Sequence, residues 1–427
     1  MWRVISLTFI FSFLLVEIQA DQSIQNVHIA LAGKNGMVIS WLTEYQTEDS
    51  FVLYGLQRDD LFMKSNGNQT SYGSNAGWNH NVVLTNLIPN TRYFYSCGSS
   101  SIMSSQYEFV TISNDPFTGT IAAYGDMGID NSENTMNQLI NRTNNGDFDL
   151  FLHMGDISYA NDHSQQYEET WNEWFTDMEP ITSTIPYMVV SGNHESVCKA
   201  FGCFEETTNF TTYKQKFRMP GFESGTNSSM FYSFDFGFIH FIGISTESGY
   251  PGAPPLESDF PYIKEEDDEE SYFQVNWLKE DLSKAVENRA QVPWIIVFGH
   301  RPIYAPLLEK DNIPTGYSLA IQNFLEPILK QYSVDIYLTG HVHAYARTYP
   351  MYNNTVTSYN YNNPPDTIHI CAGGAGNIEG ISTFPQPLPS WYAGGNDIDF
   401  GYGTIQATQN TLMWNYYLSI NGSLNDT

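Results

Sequence analysis

The sequence predicts two units of different class: an all-β sandwich over residues 21–113, followed by an α/β layered domain over residues 114–427. Three observations carry this expectation. Up to about Thr111 the chain is written in short, strand-like runs separated by turn signals. After Asn114-Asp115-Pro116 the pattern changes to apolar runs alternating with helical stretches, the pattern of stacked α and β layers. A length of 427 residues, 41% hydrophobic and 15% aromatic, exceeds what one average domain needs and suits a folded chain.

The first twenty residues read as a signal peptide: Arg3 precedes an apolar run from Val4 to Val16, and the small Ala20 precedes the polar Asp21. That run is shorter than the ~20 apolar residues of a membrane span, and no second candidate follows it. The expectation is an exported product, secreted or delivered to a lysosome-like compartment, with no membrane partner. The sandwich strands are then Val27–Leu31, Met37–Trp41, Phe51–Tyr54, the aromatic stretch ending in Tyr93-Phe94-Tyr95 after the Pro89-Asn90 turn, and Tyr107–Val110. The layout is similar to a fibronectin type III sandwich, with Trp41 and Tyr93 placed like its core tryptophan and corner tyrosine. No titratable cluster falls in this unit, so it is expected to support, orient or pair the rest.

In the second unit, helices are expected at Ser132–Asn144, Gln166–Met178, Gln274–Glu287 and Tyr317–Gln331. The stretch Ser248–Ser271, with prolines and an acidic run from Glu265 to Glu270, reads as a solvated insertion loop. Five buried-looking strands each end in a glycine beside a polar residue. Thr120–Tyr124 leads to Gly125-Asp126, Asp149–Met154 to Gly155-Asp156, and Tyr187–Val190 to Gly192-Asn193-His194. Trp294–Phe298 leads to Gly299-His300, and Val334–Leu338 to Gly340-His341-Val342-His343. In open α/β sheets, sites form beyond the carboxyl ends of strands, where glycine lets the backbone turn sharply. Each of these residues alone is ordinary turn chemistry. Together they are a set of oxygen and imidazole donors converging on one place.

Composition narrows the partners. Forty-seven acidic residues against 18 basic ones give a net charge of −29 and repel phosphate backbones, which argues against a nucleic-acid partner. Four cysteines, Cys97, Cys198, Cys203 and Cys371, form no Cys-x-x-Cys motif, and the close pair Cys198 and Cys203 is the better candidate for a local disulfide. Glycosylation sequons start at Asn68, Asn141, Asn209, Asn227, Asn353, Asn421 and Asn425.

The ordered blocks Gly125-Asp126-Met127-Gly128, Gly155-Asp156-Ile157-Ser158-Tyr159, Gly192-Asn193-His194-Glu195, Val297-Phe298-Gly299-His300 and Gly340-His341-Val342-His343 resemble those of the purple acid phosphatases. The stretches Ala372–Gly380 and Gly401-Tyr402-Gly403 are similar too, so the resemblance spans nearly all of the chain after residue 20. It implies a four-layer αββα metallophosphoesterase sandwich behind the amino-terminal β-sandwich. The broader metallophosphoesterases usually carry a histidine two residues after the first aspartate, where this chain has Gly128. Tyr159 offers a phenolate oxygen in its place, a hard donor suited to a ferric ion.

The resemblance further implies a ferric site of Asp126, Asp156, Tyr159 and His343, and a divalent site (zinc, iron or manganese) of Asp156, Asn193, His300 and His341. Asp156 would bridge the two, and a metal-bound hydroxide would attack a small phosphate monoester. His194, with Asn193, would bind substrate, and His194 would hold a phosphate oxygen or protonate the leaving group. Plant members carry further substrate histidines about ten residues beyond the position of His300, where this chain has Glu309 and Lys310, so its leaving-group contacts are expected to differ. The remaining histidines, His28, His80, His153, His163, His240 and His369, match no motif and are expected to be structural or exposed. Homodimerisation also comes with the resemblance. A histidine acid phosphatase would need an Arg-His-Gly motif and a serine hydrolase Gly-x-Ser-x-Gly, and neither is present. A phosphodiesterase or nucleotide pyrophosphatase on the same metals is the enzymatic alternative. A metal-free binding glycoprotein is disfavoured, because unpaired buried carboxylates and imidazoles cost stability.

Overall fold

The computed structural model describes residues 23–427 except 74–75, 164–165, 197–208, 252, 254–268 and 311–312, with the backbone alone at 269–272. The signal-peptide segment, the Cys198–Cys203 pair and most of the acidic run lie outside the described residues. Cys97 and Cys371 are buried free thiols that do not pair with each other.

Eight short strands build the amino-terminal sandwich as two four-stranded antiparallel sheets. Strand Met37–Thr43 is central in one sheet, and Phe51–Gly55 and Arg92–Gly98 are central in the other. Trp41 is 2% exposed and stacks on His80 at 4.8 Å. The Tyr93 hydroxyl accepts the Ile88 N–H at 3.0 Å, which pins the turn before its own strand.

The sandwich is fastened to the next unit by buried polar contacts. Strand Gln25–Leu31 packs on helix α2 (Tyr167–Thr182), where Asn26 donates to Asn172 at 2.7 Å and Thr182 donates to the Val27 carbonyl at 3.0 Å. The His28 ring lies between the carbonyls of Asn26 and Lys216, at 2.7 and 2.8 Å. Glu168 accepts the Tyr72 hydroxyl and pairs with Lys216 at 3.2 Å.

Two mixed sheets face each other in the second unit. The six-stranded sheet runs in the order Tyr187–Val190, Leu150–Met154, Thr120–Tyr124, Gly401–Ala407, Leu412–Leu418, Leu424–Asp426. The seven-stranded sheet has Trp294–Phe298, Ile336–Thr339 and Ile368–Ala372 side by side and parallel at its centre. Period-two alternation assigns their faces. Ile296, Phe298 and Leu338 join the core between the sheets, whereas Ile295, Val297 and Tyr337 pack with helices α4 (Glu269–Glu287) and α5 (Gly316–Gln331). Helices α1 (Glu133–Asn144) and α2 contribute Met136, Leu139, Trp171 and Trp174 to the core around the six-stranded sheet. The result is the α-β-β-α layering expected.

Four differences from the sequence reading have local causes. Helix α2 runs on to Thr182, because Pro180 lies inside the helix without ending it. A short helix α3, Thr211–Lys216, was not foreseen; its sequence TTYKQK has no apolar period, and the buried Tyr213 anchors it by donating to the Val189 carbonyl at 3.0 Å. Helix α4 begins at Glu269, inside the stretch expected to be a loop. The strand expected at Val334–Leu338 begins at Ile336 and runs to Thr339.

Candidate metal centre

All seven residues expected to bind metal stand at carboxyl-terminal strand ends or in the loops that follow. Their backbones are bent hard. Asp126, Asp156, Tyr159 and His341 adopt φ of 61°, 52°, 56° and 70°, the left-handed region that non-glycine residues enter uncommonly and a bulky residue such as Tyr rarely. Such strain persists only where the surroundings enforce it. Close approach enforces it here: a Cβ on Gly192 would fall 2.2 Å from Asp156 Oδ1, so only glycine lets the Asn193 loop pass the Asp156 carboxylate.

The side chains meet as two linked groups. In one, the Tyr159 hydroxyl is 3.0 Å from His343 Nε2 and 3.4 Å from Asp126 Oδ1, and His343 Nε2 is 3.4 Å from that same oxygen. In the other, His300 Nε2 is 3.0 Å from Asp156 Oδ2 and 3.1 Å from Asn193 Oδ1. His341 joins the second group, with donor atoms of Asp156, His300 and His341 all within 4.8 Å of one another. Its N–H donates to Asp126 Oδ2 at 2.8 Å, which ties the two groups together. Asp126, Asp156 and His300 are at most 1% exposed.

The surrounding atoms select the imidazole tautomers. The Met154 carbonyl, 2.8 Å from His300 Nδ1, can only accept, so Nδ1 carries a proton and Nε2, which faces the Asp156 and Asn193 oxygens, is the nitrogen that would take a cation on losing its own proton. The Gly380 carbonyl does the same for His343 at 3.2 Å. Arg301 can only donate, so His341 Nε2, 3.0 Å from the guanidinium, is a lone pair.

Charges in the pocket are strongly coupled. Burial opposes the charge on Asp156, yet His300 and His194 hold its pKa below the usual carboxylate range. Burial raises that of Asp126. Burial also opposes charge on His300, but Asp156 lifts its pKa to about 10. Burial, then Asp126, drive the Tyr159 hydroxyl well above its ordinary value. Binding a cation here must therefore displace protons.

His194 is set apart from the seven. Its ring packs on Tyr159 at 4.2 Å between centroids, with Nδ1 2.9 Å from Asn161 Oδ1 and 3.3 Å from Asp162 Oδ2. Nε2 looks back at Asp156 Oδ2 from 4.0 Å. Burial lowers its pKa but Asp156 and Asp162 raise it further, to about 9. Donor atoms of Asp162, His194 and Glu379 also lie within 4.8 Å of one another.

The sequence reading missed two buried residues. Glu195 accepts the N–H groups of Asp156 (2.9 Å), Ile157 (2.8 Å) and Gly192 (2.7 Å), tying the Asp156 loop to the Asn193 loop. Its pKa rises to about 7, through burial and then Asp156. Arg301, beside His300, pairs with Glu247 at 2.8 Å. The only signal for either was adjacency to a motif histidine. Glu309 hydrogen-bonds Trp391 at 2.8 Å and Lys310 is exposed. Of the six unmatched histidines, His28, His80, His153 and His369 are buried, and His163 and His240 are partly buried beside carboxylates. His153 bonds Tyr187 beneath the site, and His240 sits between Asp235 and Asp281.

Comparison with known proteins agrees with this geometry. Residues 119–345 match the calcineurin-like phosphoesterase family, residues 24–111 the purple acid phosphatase N-terminal domain, and residues 366–427 the iron/zinc purple acid phosphatase-like C-terminal family. Purple acid phosphatase 23 of Arabidopsis thaliana is 31% identical over 411 residues, covering 84% of this chain and 80% of that one. Acid phosphatase type 7 of Danio rerio is 32% identical, covering 91% and 86%. A purple acid phosphatase from yellow lupin (Lupinus luteus) seeds has the same fold, with TM-score 0.77 at 24% identity over 95% of this chain and 74% of that one. A phosphoesterase fold, an amino-terminal sandwich and a carboxyl-terminal segment, each matched in order, place the chain in the purple acid phosphatase family, as a phosphoesterase hydrolase.

Proposed function

We propose that this chain is a secreted acid phosphatase that hydrolyses small phosphate monoesters at a dinuclear centre of one ferric and one divalent ion. The observation that carries the reading is the convergence of seven donor residues from five strand ends, with the Nε2 atoms of His300 and His343 aimed inward because the Met154 and Gly380 carbonyls hold their Nδ1 sides. The donor set fits such a pair. Asp126, Tyr159 and His343 are a hard, oxygen-rich set suited to ferric iron, and Asn193, His300 and His341 suit zinc, iron or manganese. Asp156, in contact with His300 and near His194, is the carboxylate to be shared. When bound, the ions supply an acidified water and positive charge opposite the phosphoryl oxygens.

The protein's own residues supply the rest. Glu195 fixes the spacing of the Asp156 and Asn193 loops. His194, steered by Asn161 and Asp162 and seated on the Tyr159 ring, holds a substrate oxygen and delivers a proton to the leaving oxygen. Burial around Asp126, Asp156 and His300 limits bulk water in the pocket. All seven sequon asparagines are exposed, as glycosylation in an export pathway requires. No helix among the described residues is long and apolar enough to cross a membrane. A homodimer belongs to the same proposal and is checked by light scattering.

The test is metal analysis of the native protein with a substrate panel across pH. Two metals per chain and fastest cleavage of monoesters in acid are expected. A clear preference for diesters would move the activity to a phosphodiesterase.

A further inference from the structure

Arg301 lies at the divalent side of the centre, 8% exposed, directly after His300. Its Nε alone engages Glu247, at 2.8 and 2.9 Å to the two carboxylate oxygens. Glu247 is itself only 3% exposed. Ion pairs of this kind usually spend the terminal nitrogens on the carboxylate in a two-pronged contact. Here both terminal nitrogens are turned toward the centre instead. One lies 3.0 Å from His341 Nε2 and the other 3.3 Å from Asn193 Oδ1. The arginine is braced in that pose. Thr246 Oγ1 accepts the N–H groups of His300 and Arg301 at 3.2 and 2.9 Å, and the Tyr337 hydroxyl donates to the Arg301 carbonyl at 2.7 Å. Tyr317, 43% exposed, covers the guanidinium at 4.9 Å.

The two acceptors now facing Arg301 are lone pairs that a divalent ion would take. Once they are taken, the terminal N–H groups stay buried and need another acceptor, since an unpaired buried donor is costly. We infer that Arg301, neutralised by Glu247, binds a non-bridging phosphoryl oxygen of the substrate and selects monoester dianions over diesters. It thereby takes up the contacts that Glu309 and Lys310 do not make, as Glu309 is engaged with Trp391 and Lys310 is exposed. A planar guanidinium suits the anionic oxygens of a phosphomonoester, and a diester offers one charge fewer. The inference rests on the dinuclear phosphatase reading.

The test uses the full-length, metal-loaded protein and inorganic phosphate as the probe, with binding measured by calorimetry. Arg301→Met alone strands the Glu247 carboxylate, which risks the fold, so Arg301→Met/Glu247→Gln, which removes both charges, is the decisive variant. Expected are two metals per chain, phosphate binding weaker by about 10- to 100-fold, and a similar fall in the monoester-to-diester ratio of kcat/KM. Phosphate affinity within about twofold of wild type, with the metals intact, overturns the inference. Loss of either metal also overturns it, because the pair would then be a prop for His341 and Asn193. Wild-type protein that fails to hold two metals or to cleave monoesters would instead sink the underlying reading, and that result appears before any variant is made.

Discussion

Replacing Glu195 by glutamine tests how the centre is held together. The carboxylate accepts three backbone N–H groups, with Oε2 serving Asp156 and Gly192 and Oε1 serving Ile157. Glutamine has one acceptor oxygen and one NH2 group. Turned to keep the Asp156 and Gly192 contacts, it sets a donor against the Ile157 N–H, which is buried. Above the Glu195 pKa of about 7, where the group is a carboxylate, one charge-assisted bond is lost and one buried donor is left unpaired, so the destabilisation measured there is about 2 to 4 kcal/mol. The injury falls between the loops carrying Asp156 and Asn193, and loss of a residue that holds the ligands in place weakens metal affinity by about 10- to 100-fold. Denaturant midpoints of loaded and stripped protein, with metal retention against a graded chelator, measure both effects. Glu195→Gln protein with a wild-type midpoint and wild-type metal retention would refute the role assigned to this carboxylate.

Other expectations are as concrete. Asp156→Asn should lose both metals and nearly all activity; two metals per chain in that variant would count against a shared carboxylate. Oxidised protein should be coloured by phenolate-to-iron charge transfer, and Tyr159→Phe should remove the colour while Tyr402→Phe, a control outside the centre, leaves it; a colourless wild type with full iron rules out the Tyr159 bond. His240 gives a pH prediction. Although burial opposes its charge, Asp235 and Asp281 raise its pKa from 6.5 to about 9, so its stabilisation is fully present below 6.5 and is lost as pH rises through 9. The loss is about 1 to 3 kcal/mol, reduced because Asp235 is half exposed, and His240→Gln should flatten the midpoint-against-pH curve over that window.

The contacts explain which parts of the molecule were legible in the sequence. Strand ends such as Tyr124-Gly125-Asp126 and Phe298-Gly299-His300 announce themselves because buried parallel strands are continuous apolar runs and a turn must follow each. Helix α3 gave no such signal, because its stability is tertiary and comes from Tyr213 reaching across to Val189. The start of α4 was hidden in an acidic stretch, since carboxylates suit a helix amino terminus as readily as a solvated loop. Glu195 and Arg301 escaped for a different reason. Each acts through a neighbour brought close only by the fold, the Asp156 loop for one and Glu247 with His341 for the other. Sequence spacing carries no record of such contacts.

The space beside Gly128 bears on how one ligand set could be exchanged for another. A Cβ added there would stand 3.0 Å from the Tyr159 ring, so a side chain at position 128 fits only if that ring gives by a few tenths of an ångström. Putting a histidine in first presses on the ring, and removing the tyrosine first opens a hole and takes away the surface on which His194 rests. The two positions are therefore linked through one ring. A change from phenolate to imidazole at this centre also reaches a third residue, because the His194 ring loses the face it packs on.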